Sequence, residues 1–331
     1  MKKILRKIMQ KKKFEQVLYE WLLLKKDQVK SSTYNKYLFQ IENHIIPYLG
    51  KLGFKKIKSK DIVNFFNNKM IKTLSDSTKN TILIIINSTI DYGISKKYRS
   101  EFTRVSFCFK KEQYKASYFT KKEQSQIEGY IKKNMNLRNL IILVALYSGA
   151  RLGELCALKG TDVDFINNTI AINKSVQRGK CGDSNNKTKL IVGIPKTKNS
   201  CRIIPAPKFI IELLKNYVKD PNNYIFTNSN KPKDPRAVEK YFRNLLDKLN
   251  INQLSFHALR HTFATRLREQ KVDIKVISEL LGHANWKITQ SVYVHASIDY
   301  KKASIDELAH LWERKNRIAR IWLLIIEKLS S

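Results

Sequence analysis

Apolar residues recur every three to four positions through most of this chain, and strand signals are confined to one central stretch. In KFEQVLYEWLLLKK, Phe14, Val17, Leu18, Trp21 and Leu22 fall at helical spacing. SSTYNKYLFQIENHIIPYLG opens on serine caps, sets Leu38, Ile41 and Ile45 on one stripe and stops at Gly50. SKDIVNFFNNKM reads as a helix with Ser59 as its N-cap, and SDSTKNTILIIINSTIDYGI as another capped helix ending near Gly93. Four short helices with lysines between them predict a compact basic bundle.

The stretch YRSEFTRVSFCFKKEQYKAS, 98–117, holds neither period over any length and reads as a linker. Beyond it, Thr120 and Glu123 form a capping box ahead of a helix. LRNLIILVALYSGARLGELCAL predicts a buried helix, a glycine break and a second helix. TIAIN, LIVGIP and CRIIPAP predict a three-stranded β segment. Helices return at RAVEKYFRNLLDKL, at HALRHTFATRL and at DIKVISELLGH, the last from Asp273 to Gly282. The expected partition is a basic stub at 1–12, a helical domain at 13–97, the linker, a second domain at 118–300 and a helical tail at 301–331.

Charge narrows the choice of partner. Lys and Arg total 63 against 28 Asp and Glu, a formal net charge of +35 over 331 residues. The lysines are spread along the whole chain, so the folded domains themselves are basic, and such an excess repels itself unless a polyanion neutralises it. A phosphate backbone does so with counterion release, which makes nucleic acid the leading partner. An anionic membrane needs a basic amphipathic or lipidated anchor, and none is evident. LIIINSTI and LIILVALY are too short to span a bilayer, and the basic N-terminus lacks the apolar core of a signal peptide. Cys108, Cys156, Cys181 and Cys201 have no metal-ligand spacing, which fits a reduced cytoplasmic protein.

Candidate chemistry sits in three places. Arg151 follows a Gly-Ala break with Glu154 three residues on, which is either a structural pair or a held cation. His257 and Arg260, three apart, share a helix face that Phe256, Leu259, Phe263 and Leu267 hold down. An imidazole and a guanidinium together offer several donors to an oxyanion. His257 and His261 could also hold a metal, but Arg260 would put a fixed positive charge beside it. His283 at a helix end reads equally as a cap, and Tyr293 alone as a packing residue.

SGARLGELCAL, HALRHTFATRL and LLGHANWKITQSVYVH, in this order, resemble the motif boxes of the tyrosine recombinase (phage integrase) family. The resemblance runs from about Thr120 to about His295. The helical N-terminal part resembles that family's core-binding domain, and SSTYNKYLFQIENHIIPYLG resembles integrases of Gram-positive phages and conjugative transposons. The implied fold is mainly α with a small antiparallel β-sheet: a helical, SAM-like core-binding domain followed by an α+β catalytic domain. Matched residue by residue, the implied catalytic set is Arg151, His257, Arg260, His283 and the nucleophile Tyr293, with a lysine from PKTKNSCRIIP. Lys196 is favoured for that lysine and Lys198 is the alternative. Glu154 matches a position that orients Arg151, while His261 and Arg266 have no assigned role in the chemistry.

The resemblance implies cleavage and rejoining of DNA through a 3′-phosphotyrosyl intermediate, with no metal, ATP or other cofactor. The implied partners are double-stranded DNA at attachment sites, a homotetramer of this chain on that DNA, and accessory proteins that bend DNA or set direction. Integration and excision of a mobile element is the leading role. A chromosome-dimer resolvase, a DNA invertase and a catalytically inactive DNA-binding regulator are the alternatives. A cytoplasmic, nucleoid-associated location follows. Only MKKILRKIMQKKK precedes the first helix, so no separate arm-binding domain is expected. Ile305, Leu308 and Trp312 lie on one stripe of the tail, suited either to dock on a neighbouring protomer or to pack on their own domain.

Overall fold

A computed structural model describes residues 12–107, 109, 117–180, 188–193 and 200–283. These form two compact units. One comprises the residues up to 109 with 178–180 and 188–189, the other 117–177 with 190–193 and 200–283.

In the first unit, α1 (Phe14–Lys25), α2 (Ser31–Gln40), α3 (Ser59–Asn67), α4 (Lys69–Lys72) and α5 (Asp76–Ser95) surround one apolar core. All five apolar positions that mark α1 in the sequence are buried there. The second expected helix divides at Gln40: a π-helix, Ile41–Gly50, takes over and contains Pro47. Proline has no N–H to give to the carbonyl four residues back, which favours a change of helical pitch. The third expected helix also divides, because Asn68 leaves helical geometry and caps α4 by accepting from the Met70 N–H. Ser59 is not the N-cap. That place belongs to Lys58, whose N–H donates to Asp61 Oδ2 at 2.8 Å, while the Ser59 hydroxyl donates to the Thr103 carbonyl. Residues 99–107 hold neither helix nor strand, yet Phe102 and Phe107 pack against this core.

The second unit is built around α7 (Leu137–Ser148), which follows α6 (Lys121–Lys133) and precedes the short α8 (Leu152–Cys156). Every residue of α7 from Asn139 to Leu146 is buried, so the helix is the centre of the core and not one side of it. The Thr120–Glu123 capping box is in place, with each residue's side chain accepting from the other's backbone N–H.

The strands are β1 (Val163–Asp164), β2 (Thr169–Ile172), β3 (Ser175–Lys180), β4 (Thr188–Gly193) and β5 (Arg202–Pro205). The three-stranded sheet is antiparallel in the order β1-β2-β5, with Ile170 opposite Ile204, both fully buried. LIVGIP was expected in that sheet, but its strand β4 pairs with β3 in a separate two-stranded sheet. No residue of β4 is fully buried: Leu190 packs against the core, while Ile191 and Val192 are exposed, so the strand lacks the alternating buried face of β2. After α9 (Lys208–Tyr217) and α10 (Pro235–Lys248), α11 (His257–Glu269) packs against α7, and α12 (Ile274–Leu281) packs against both α11 and β5. Among the described residues, no helix is long and apolar enough to cross a membrane.

Candidate active site

Two helix ends and one helix face make the site. α7 stops because Gly149 turns left-handed, with φ 61°. A Cβ there would lie 2.4 Å from the Phe263 ring, so both the backbone and the space require glycine. That turn delivers Arg151 to the N-cap of α8. The Arg151 N–H donates to Glu154 Oε2 at 2.9 Å and its Nη1 donates to Glu154 Oε1 at 2.9 Å. The Glu154 side chain is 2% exposed and that of Arg151 36%, so the guanidinium reaches solvent from a buried anchor.

α12 also ends on a left-handed glycine, Gly282 at φ 63°. The Gly282 N–H donates to the Glu279 carbonyl at 2.9 Å and the His283 N–H to that of Ser278 at 3.1 Å, which is the Schellman closure of a helix end. Three carbonyls beyond that closure, those of Leu280, Leu281 and Gly282, each accept from an arginine. The donors are Arg202 Nε at 2.7 Å, Arg260 Nη2 at 2.6 Å and Arg151 Nη2 at 3.4 Å. Helix C-termini leave carbonyls without intrahelical partners and carry partial negative charge, so this end suits cations.

Arg260 projects from α11 and is almost fully enclosed, at 2% exposure. Its Nη1 donates to the Gly149 carbonyl at 2.8 Å, so a single guanidinium joins the ends of α7 and α12. His257, one turn earlier on α11, is exposed. Desolvation of its inner side, with the charges of Arg260 and then Arg151, pushes its pKa down to about 4. Burial, with the charges of Arg260 and Arg151, pushes His283 down to about 3. Both imidazoles are therefore neutral at pH 7 in the free protein, and a neutral imidazole can accept a proton.

The structure brings Arg151, His257, Arg260 and His283 together; Lys196, Lys198 and Tyr293 lie outside the described residues. Ile305, Leu308 and Trp312 of the tail lie outside them as well. His261 stands edge-on to His257, with ring centroids 4.7 Å apart, and is 7% exposed. Arg266 turns away from the site: its Nη2 donates to the Phe119 carbonyl at 2.7 Å and its Nε to Gln124 Oε1 at 2.9 Å, tying α11 to the start of α6. Among the described residues, no group of three His, Cys, Asp or Glu side chains gathers as a metal site would require.

One residue was not singled out from the sequence. Arg202, the first residue of β5, makes a two-point pair with Glu154: Nη2 to Oε2 at 2.9 Å and Nη1 to Oε1 at 3.3 Å. Its only sequence signal is a cation opening the otherwise apolar strand RIIP. Burial alone would raise the Glu154 carboxyl, but hydrogen bonds and charge from Arg202, then from Arg151, outweigh it and hold the pKa below the usual carboxylate range.

Burial, with the charges of His257 and Arg260, pushes His261 down to about 4, against an ordinary 6.5, and this sets a pH dependence. As pH falls below 6.5 the unfolded chain takes up a proton that folded His261 refuses, so stability present above 6.5 is lost toward pH 4. Urea unfolding between pH 7.5 and 5, above most carboxylate titration, should show a falling midpoint. His257 and His283, also held below 6.5, add to the same fall, so His261→Gln should make it shallower by about one histidine's share, and an equally steep fall in that variant would reject the assignment.

Both units match models of one family. The phage integrase family model covers residues 117–299, and the model of the phage integrase N-terminal SAM-like domain covers 13–71. The chain belongs to the phage integrase family, the tyrosine recombinases. It is 28% identical to a XerC-like tyrosine recombinase of Caldanaerobacter subterraneus subsp. tengcongensis, over 86% of this chain and 79% of that one. It is 24% identical to the ICEBs1 integrase of Bacillus subtilis, over 85% of this chain and 78% of that one. Other curated relatives are spanned over 53–58% of their length. In fold it is similar to the Tn1549 transposon integrase solved in complex with transposon right end DNA. That match has a TM-score of 0.72 at 21% identity and covers 90% of this chain and 99% of that one.

Proposed function

We propose that the protein is a site-specific DNA recombinase of a mobile element, cleaving and rejoining duplex DNA through a covalent tyrosine intermediate. The observation that carries this reading is the gathering of Arg151, Arg260, His257 and His283 at the C-terminal end of α12. Tyr293 Oη attacks the scissile phosphorus, forms a 3′-phosphotyrosyl bond and releases a 5′-hydroxyl. The proton of Oη passes to His257, since a phenol of pKa about 10 must lose it during attack. Arg151, Arg260 and His283 stabilise the charge that gathers on the non-bridging oxygens, the work a divalent cation does in metal-dependent nucleases. A lysine of PKTKNSCRIIP, Lys196 in preference to Lys198, protonates the leaving oxygen. The energy of the phosphodiester is kept in the phosphotyrosyl link, so rejoining needs no ATP.

The net charge of +35 supports duplex DNA as the substrate, with phosphate contacts supplying most of the affinity. Exchange between two duplexes uses four tyrosines, hence a tetramer assembled on DNA. A resolvase role uses the same chemistry, and the XerC-like relative gives it a specific footing. The two differ in the DNA acted on: ends of an inserted element for one, a chromosomal dimer site for the other.

The test is a nicked suicide duplex carrying the element's attachment sequence, incubated with the full chain in EDTA. A covalent protein–DNA species resistant to denaturant is expected. Its loss on chelation would reject the metal-free mechanism, and its absence on every element end would reject the enzyme in favour of a DNA-binding regulator.

A further inference from the structure

We propose that Arg202 is a positioning residue for the phosphate-binding arginine, acting through Glu154 and the end of α12. The inference rests on the recombinase reading for the identity of the phosphate, but not for the arrangement itself. Arg202 is enclosed, with its side chain 7% exposed, and its donors all point into the protein. Nε serves the Leu280 carbonyl at 2.7 Å, Nη1 the Ser200 carbonyl at 2.9 Å and Glu154 Oε1 at 3.3 Å, and Nη2 serves Glu154 Oε2 at 2.9 Å. Nothing of it is directed at a reacting group.

Its effect on Arg151 has two parts. The first is charge. Glu154 paired with Arg151 alone would be a neutral couple, and much of the field of Arg151 at a bound phosphate would be cancelled. With Arg202 on the other side of the carboxylate the triad carries one net positive charge, and the exposed member is Arg151. The second is geometry. Arg202 fixes both carboxylate oxygens and the Leu280 carbonyl, while Arg151 rests on the same two oxygens and on the Gly282 carbonyl two residues further on. The planar guanidinium reaches all of these acceptors at once, which an ammonium cannot do.

Two measurements on the full chain test this, with Arg202→Met, Arg202→Lys and Glu154→Gln/Arg202→Met. The first is affinity for inorganic phosphate, read from histidine ring shifts by NMR. The second is the single-turnover rate of adduct formation at saturating suicide duplex. Arg202→Met should weaken phosphate binding and slow cleavage by roughly 10- to 100-fold, the range seen when a supporting partner of a functional residue is removed. DNA affinity should stay within about threefold, because many other phosphate contacts supply it. Arg202→Lys should recover part of both losses. Glu154→Gln/Arg202→Met should recover phosphate affinity, because Arg151 no longer faces an uncompensated carboxylate. Wild-type phosphate affinity in Arg202→Met would overturn the proposal, as would equal losses in Arg202→Lys and Arg202→Met with both folded. If Arg202→Met fails to fold, the comparison of wild type with Arg202→Lys decides, since unchanged phosphate affinity in the lysine variant also overturns it. If the wild type forms no adduct, the recombinase reading fails, and the phosphate measurement still judges Arg202.

Discussion

Tyr293→Phe is expected to remove the covalent protein–DNA species altogether while leaving DNA binding within about twofold of wild type. The substitution deletes one oxygen. If that oxygen is the nucleophile, no other group in the site takes over the bond to phosphorus, and the cleavage rate should fall by at least about 10⁴-fold, as when nucleophiles are removed from other covalent catalysts. Binding should barely change, because affinity comes from many phosphate contacts and one phenol hydroxyl is a small part of them. The readout is a denaturing gel of the suicide duplex beside a mobility shift of the intact one. An adduct that persists in Tyr293→Phe would move the nucleophile to another tyrosine and would break the residue-by-residue match made at VYVH.

Arg260→Ala should damage both stability and chemistry, an effect not expected of Tyr293→Phe. Arg260 is 2% exposed, and its guanidinium donates to the Gly149 carbonyl at 2.8 Å and the Leu281 carbonyl at 2.6 Å. Alanine leaves two enclosed carbonyls without these donors, together with a cavity in the joint between two helix ends. The cost should be about 3 kcal/mol, from roughly 1–3 kcal/mol for each stranded polar group. For a unit of this size that lowers the thermal midpoint by roughly 6–12 °C. Adduct formation by the folded fraction should fall by about 10²- to 10³-fold, the usual loss on removing one donor to a developing oxyanion. Arg260→Lys should recover little of either, since one ammonium cannot span both carbonyls. A stable and active Arg260→Ala would remove the residue from the site.

The histidines divide along the same lines. His257 is exposed, so solvent screens the guanidiniums around it and the direction of its shift matters more than the size. On the proposed mechanism a bound DNA phosphate brings negative charge among these imidazoles and opposes the arginines. Proton acceptance by His257 then leads to an imidazolium with a counter-ion beside it, which is what a base in this position requires.

Much of this site was legible because its parts are local. The spacing of three between His257 and Arg260 puts them on one face of α11 whatever the rest of the chain does. The glycines after α7 and α12 announce helix ends, and both adopt the left-handed turn that glycine favours. The Thr120–Glu123 box was equally local, and it formed. Local reading failed where a neighbour in space mattered. Ser59 has the right chemistry for a cap, but Asp61 accepts from the Lys58 N–H and the Ser59 hydroxyl turns to Thr103, 44 residues away. LIVGIP has strand composition, but its expected place in the sheet beside TIAIN and CRIIPAP went to Val163–Asp164, and β4 paired with β3 instead.

The amino-acid order alone determined that the chain is basic and mostly helical, and it was the resemblance to three recombinase boxes, not local pattern, that selected Arg151, His257, Arg260 and His283. Periodicity, caps and charge are properties of neighbours along the chain, so they need no fold to be read. Tertiary structure decided what holds those side chains. The pair between Arg202 and Glu154 spans 48 residues, and the bond from Arg202 to the Leu280 carbonyl spans 78. No spacing rule links such distant positions. Only the packing of β5 and α11 against α12 turns the end of a short helix into a seat for three arginines.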